Sequence, residues 1–153
     1  MTKPTQVIFF VSMMLLAGYL KSLAQIQDST SWKNEVQAVL NQQVEAWNGS
    51  DIDGYMEGYW KSDSLLFTSG GNNQRGWKAT LAKYKKSYDT PEKMGKLKFS
   101  QLEYYPLSPE AAWVFGNWEL GRKQDNPKGV FTLVLRKFPD GWKIVHDHTS
   151  SSK

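Results

Sequence analysis

His146 and His148 are the only histidines in the chain. An unperturbed histidine titrates near about pH 6.5, which suits it to proton transfer. Residues two apart on a strand point to the same face. Both histidines are therefore expected on the face of Trp142 and Ile144, with Val145, Asp147 and Thr149 turned the other way. Three readings are open. His148, with His146 beside it, forms the polar end of a pocket as general base or hydrogen-bond donor. Or His-x-His supplies two metal ligands and needs a third, for which Glu119 is the candidate, although nothing in the sequence marks that third ligand. Or the pair is structural, bonded to its neighbours near the chain end.

Asn117 and Glu119 share one face of their strand with Trp113 and Phe115, while Gly116, Trp118 and Leu120 occupy the other. Polar residues at the end of an apolar strand face suit a pocket mouth. They equally suit a strand end, and spacing does not say which face is concave. Tyr55, Tyr59, Trp60, Phe67, Trp77 and Tyr84 are aromatic candidates for the helical side of a pocket. Each taken singly suits core packing. As a set, with phenol and indole groups that need partners when buried, they suit a small apolar or aromatic ligand.

Other chemistry is excluded. The chain has no Cys, which removes disulfides, thiolate zinc, iron–sulfur clusters and cysteine nucleophiles. Gly70-Gly71 lacks the lysine and spacing of a phosphate loop, and no G-x-S-x-G elbow occurs. Asn48-Gly49-Ser50 matches the glycosylation pattern, which is short enough to arise by chance. No cofactor is expected.

These residues need elements to hold them. Val36, Leu40, Val44 and Trp47 recur on one helical face, stopped by Asn48-Gly49. Ser50-x-x-Asp53 resembles a capping box opening a second helix with Ile52, Tyr55, Met56 and Tyr59 on its apolar side. A strand at Leu65–Thr68, a turn at Gly70-Gly71-Asn72-Asn73 and a helix carrying Trp77, Leu81, Tyr84 and Tyr88 follow. Pro91 closes that region. Four strands come last: Leu97–Tyr105, Ala111–Leu120, Val130–Phe138 and Trp142–Thr149, the last two joined by Pro139-Asp140-Gly141. Helices first and an antiparallel meander after them give an α+β class with the helices on one face of the sheet.

Length and charge bound the rest. The 153 residues suit one domain. Residues 7–20 are apolar except for Ser12, which is signal-peptide length and too short to span a bilayer. Ser22-Leu23-Ala24 offers small residues for cleavage. The expected division is a signal peptide over 1–24, a leader over 25–31 and a domain over 32–150. The protein is thus expected to be exported, periplasmic or secreted, with no stable membrane anchor. Losing Lys3 and Lys21 would leave 17 basic residues against 15 acidic ones. No basic run is interleaved with aromatics, so nucleic acid is not an expected partner.

At this point the chain resembles the SnoaL-like branch of the nuclear transport factor 2-like superfamily. The run Gly141-Trp142-Lys143-Ile144-Val145-His146-Asp147-His148-Thr149-Ser150 is similar to its closing strand. Val114-Phe115-Gly116-Asn117-Trp118-Glu119-Leu120 and Val130-Phe131-Thr132-Leu133-Val134-Leu135-Arg136-Lys137 are similar to the strands before it. The likeness runs from Trp32 to Ser150. It implies a cone-shaped fold, with N-terminal helices packed on a curved antiparallel sheet around a cavity, and often a homodimer. The family includes ketosteroid isomerase, polyketide cyclases, scytalone dehydratase, transport factors without catalysis and a kinase association domain. Fold does not choose among these roles. Three functions stand: a ligand-binding protein; a cofactor-independent lyase, isomerase or cyclase; or an interaction module. In the enzyme reading His148 moves the proton and Tyr59, His146 or Glu119 orients the substrate. Isomerase-like chemistry needs an acid in an apolar site, and Asp53, Glu57 and Asp63, near the second helix, read as caps or exposed residues instead.

Overall fold

Among the described residues six strands form one sheet, ordered from edge to edge as β2 (Asn72–Arg75), β1 (Leu66–Ser69), β6 (Gly141–Ser151), β5 (Lys128–Phe138), β4 (Ala111–Gly121) and β3 (Lys96–Ser108). The computed structural model describes residues 31–152. The expected signal peptide, and the leader up to residue 30, lie outside the described residues. Residues 35–153 form one unit, and the site lies within it. Among the described residues, no helix is long and apolar enough to cross a membrane.

Helix α1 covers residues 31–48. Its buried stripe is Val36, Leu40, Gln43 and Trp47. Gln43 takes the place expected for Val44, and its Nε2 donates to the Tyr55 carbonyl at 3.2 Å. Asn48 ends the helix and pairs with Leu97 like a strand neighbour: Oδ1 accepts from Leu97 N–H at 2.8 Å and Nδ2 donates to Leu97 O at 3.1 Å. Helix α2 is Ile52–Met56, capped by Asp51, whose side chain accepts from Gly54 N–H. Ser50 is not the cap, because it turns the chain with φ of 61°.

Strand β1 is Leu66–Ser69 and β2 is Asn72–Arg75. They are joined by Gly70 and Gly71 at φ of 56° and 77°, a two-residue turn that strongly favours glycine. The Asn72-Asn73 pair read as turn therefore opens a strand. Helix α3 is Trp77–Ser87, and the single turn α4 is Pro91–Met94. Pro91 opens this turn rather than only closing the region, since proline is tolerated where the first N–H has no helical partner.

Strands β3 (Lys96–Ser108), β4 (Ala111–Gly121), β5 (Lys128–Phe138) and β6 (Gly141–Ser151) make the expected antiparallel meander. β1 runs parallel to β6. The inner face buries Ala112, Val114 and Leu120 of β4 with Phe131, Leu133 and Leu135 of β5. Fully burying each Val, Leu or Phe of this set contributes about 1.5–3 kcal/mol.

One irregularity decides which side chains reach the inner face. Val134 pairs with His146, yet Leu135 pairs with Ile144, so Val145 is an extra residue on β6. Before this bulge the outer edge of β6 is held by the segment after α2: Ile144 N–H donates to Gly58 O and Trp60 N–H to Ile144 O, both at 2.9 Å. After it, that edge pairs with β1 from His146 to Thr149. The bulge thus falls where β6 changes neighbours. A second one, between Ser100 and Glu103, interrupts β3. Such bulges bend a sheet and raise its twist.

Candidate functional site

An extra residue shifts strand alternation by one. Leu133 and Leu135 share a face, so their partners Asp147 and Ile144 share it too, although they are three apart in sequence. Trp142 and Ile144 point inward ahead of Val145, and Asp147, Thr149 and Ser151 point inward beyond it. His146 and His148 therefore lie on the outer face. The expectation that they share a face with Trp142 and Ile144 is corrected, and the cause is the bulge.

Asp147 is 5% exposed. Its strand neighbours are Leu133 on β5 and Phe67 on β1. Tyr59 donates to Oδ2 at 2.7 Å, and the Tyr55 and Tyr59 hydroxyls are 3.3 Å apart. The single Tyr59 proton serves Asp147, so Tyr55 is the donor in that second bond. Asp147 Oδ1 is buried and has no hydrogen-bond partner. Burial pushes the carboxyl up to about 7, partly opposed by the Tyr59 bond. The same burial, with the nearby Asp147 charge, raises Tyr59 well above its ordinary value. Tyr84 is raised well above it by burial, then by Tyr55 and Asp147.

Asp147 lines a cavity of about 190 Å³ between the helices and the inner sheet face. Its walls are aromatic. Trp47 meets Tyr55 and Tyr88 edge-on with ring centres 5.0 and 4.8 Å apart, and Phe67 meets Tyr84 at 5.8 Å. Phe99 and Phe131 pack at 5.1 Å on the sheet side. Trp118 also faces in, and its indole N–H donates to Ser150 O at 3.1 Å. Gly129 makes that reach possible: a Cβ there would sit 2.9 Å from the indole nitrogen and 1.8 Å from Ser150 O.

Of the residues singled out from sequence, Tyr55, Tyr59, Phe67 and Tyr84 line this cavity. Trp77 does not; its indole N–H is spent on Met56 O at 2.9 Å and Lys61 Nζ lies 5.3 Å from its ring centre. Trp60 stacks on Phe138 at 5.4 Å. Asn117 and Glu119 are on the outer face, opposite Trp118 and Leu120. Asn117 Nδ2 donates to Gln101 Oε1 at 2.6 Å, and Glu119 stands between Lys98 and Lys128 in the register. β5 separates Glu119 from the histidines, so it cannot serve as their third ligand. Among the described residues no three His, Asp or Glu side chains gather as a metal site would require. Asp53 and Glu57 pair with Lys85 and Lys61 at 2.8 and 2.7 Å, and Asp63 is exposed.

Asp147, Trp47, Tyr88, Phe99, Trp118 and Phe131 are the polar and aromatic wall residues that sequence reasoning missed. Asp147 was assigned away from Trp142 by strict alternation. Trp47 was visible as a helix-face residue, and Tyr88 as the last member of the Trp77-Leu81-Tyr84 series. Nothing in either spacing distinguishes a cavity wall from a core contact.

The model of the SnoaL-like domain matches residues 36–152. Comparison with curated proteins finds no match. Among solved structures, an NTF-2 like protein of unknown function from Shewanella oneidensis is 45% identical. That match covers 77% of this chain and 98% of the other at a TM-score of 0.75. A nuclear transport factor 2 superfamily protein from Salmonella enterica is 19% identical, covering 82% and 94%, with a TM-score of 0.65. A ketosteroid isomerase-like protein from Erwinia carotovora is also 19% identical, covering 77% and 94%, with a TM-score of 0.63. These similarities agree with the architecture, which is the nuclear transport factor 2-like fold.

Proposed function

We propose a ligand-binding role from one premise: the chain belongs to the SnoaL-like domain family. The cavity takes up one small, largely apolar organic molecule and orients it by a hydrogen bond to Asp147. The observation that carries this is the buried carboxyl oxygen Oδ1, left without a partner in a residue that lines an aromatic cavity. An unsatisfied buried acceptor costs about 1–3 kcal/mol, and a ligand that donates to it recovers that cost. Drug-sized sites run to about 300–1,000 Å³, so a cavity of about 190 Å³ suits a smaller guest.

A second reading is acid–base catalysis without a cofactor, and here too Asp147, not His148, is the group in position. Its carboxyl is pushed up to about 7, near the optimum for a proton-transfer group at neutral pH. Tyr59, donating to Oδ2, and Tyr55 behind it would hold the carboxyl in place and leave Oδ1 to take the proton.

Thermal unfolding against a library of small apolar and aromatic compounds tests both. A ligand at about 100 times its Kd adds about 2.7 kcal/mol. The expected result is a shift that survives His148→Ala and is lost in Asp147→Asn. A shift lost in His148→Ala and kept in Asp147→Asn would reverse the assignment. If a hit is turned over, its rate should rise as pH passes about 7, and a rate independent of pH there would leave binding alone.

A further inference from the structure

Resting on the ligand-binding reading above, we infer that the cavity selects a small organic cation: a protonated amine on an aromatic or aliphatic body. The inference starts from what surrounds Asp147. Facing it are Tyr59 from the segment after α2, Tyr55 from α2, Tyr84 from α3, Phe67 from β1 and Leu133 from β5. None of these is cationic. Asp147 is the one acid among the described residues lining the cavity, and Lys83 the one cation. Lys83 is exposed, with Nζ 5.9 Å from the centre of the Phe67 ring. The buried carboxylate is therefore without a counter-charge in its own walls.

A neutral donor would satisfy the free oxygen. An ammonium group would satisfy it and also supply the missing charge, and bonds between ionised partners are roughly twice as strong as neutral ones. The walls favour the same guest. Rings of Trp47, Tyr55 and Trp118 line the cavity, while that of Tyr88 already has the Arg122 guanidinium 5.9 Å from its centre; aromatic faces attract a cation through their quadrupoles, with Trp the strongest. A carboxylate ligand meets the opposite situation, since its charge would lie against Asp147, with the exposed Lys83 as the one cation among the lining residues and Arg122 behind the Tyr88 ring. Burial raises the Asp147 carboxyl to about 7, so a bound cation should also draw the proton off it.

The test uses isothermal titration of the full chain with three probes of matched shape: 2-phenylethylamine, 2-phenylethanol and phenylacetate. The expected result is that the amine binds at least about tenfold more tightly than either other probe, a difference of about 1.4 kcal/mol. Its affinity should rise between about pH 5.5 and 8 as Asp147 ionises, while that of the alcohol stays flat. Asp147→Asn, with its fold checked by circular dichroism, should bring amine and alcohol to equal affinity. If that variant fails to fold, the pH contrast in the unaltered chain carries the test. Equal or tighter binding of the alcohol or of phenylacetate overturns the cation assignment and leaves the ligand-binding reading standing. Failure of all three to bind removes the support for both.

Discussion

The two faces of β6 carry opposite chemistry within three consecutive residues. Asp147 points inward, is 5% exposed and has one oxygen tied to Tyr59. His146 and His148 point outward, pairing across the sheet with Val134 and Thr132, and His148 is exposed. A histidine pair draws the eye as chemistry, whereas the aspartate between them is expected on the opposite face. In the structure it is the aspartate that faces the cavity, and this depends on one backbone residue, Val145. Residue type proposes a site, but strand phase decides which residue occupies it.

The largest effect should come from removing that residue. Deleting Val145 joins Ile144, opposite Leu135, directly to His146, opposite Val134, so both faces are kept. What is lost is the bend by which the outer edge of β6 passes from Gly58 and Trp60 to β1. One of those two sets of edge bonds must then be given up, at a cost above about 4 kcal/mol, so the variant should lose its cooperative thermal transition by circular dichroism. A cooperative melt within a few degrees of the parent would show that β6 changes neighbours without needing the bulge.

The pH dependence of stability sharpens the same contrast. Asp147 ionises at about 7 in the fold and near about 4 in an open chain. The native state therefore holds a proton that the unfolded state has given up. The stability tied to that proton is present at low pH and is lost as pH rises from about 4 to about 7, by up to about 4 kcal/mol. Asp147→Asn should remove this slope in urea titrations at successive pH values. An unchanged slope would place the responsible group elsewhere.

The smallest effect belongs to the outer face. His148→Ala removes an exposed side chain and should change stability by no more than about 0.5 kcal/mol. It should leave ligand-induced shifts intact. A loss above about 2 kcal/mol in chemical denaturation would mean that the outer face is structurally engaged.

Much of this architecture was legible. The four-strand meander, the α+β class and the inner set Tyr55, Tyr59, Phe67 and Tyr84 follow from apolar spacing and turn residues, which act locally. The misplaced residues fail for non-local reasons. The bulge at Val145 arises where β6 changes neighbours from Gly58–Trp60 to β1, and sequence spacing within β6 holds no trace of that handover. Asn117 and Glu119 were grouped with the right strand companions, Trp113 and Phe115. Only the direction of sheet curvature was missing, and that depends on which face the helices cover. Gln43 was passed over for Val44 because polarity argued against burial, yet its amide is what the Tyr55 carbonyl needed.

Asn48 carries a consequence for how the chain is produced. Its side-chain nitrogen is committed to Leu97 O, and Asn48-Gly49-Ser50 is an acceptor sequence for N-linked glycan. A eukaryotic secretory host would offer the glycan while the chain is still unfolded and that nitrogen is free. A sugar attached there would occupy the atom that stitches α1 to β3, so folding and glycosylation would compete for one amide. Bacterial expression, or a Ser50→Gly variant made in a eukaryotic host, separates the two, because the variant removes the acceptor sequence and keeps the Asn48 amide.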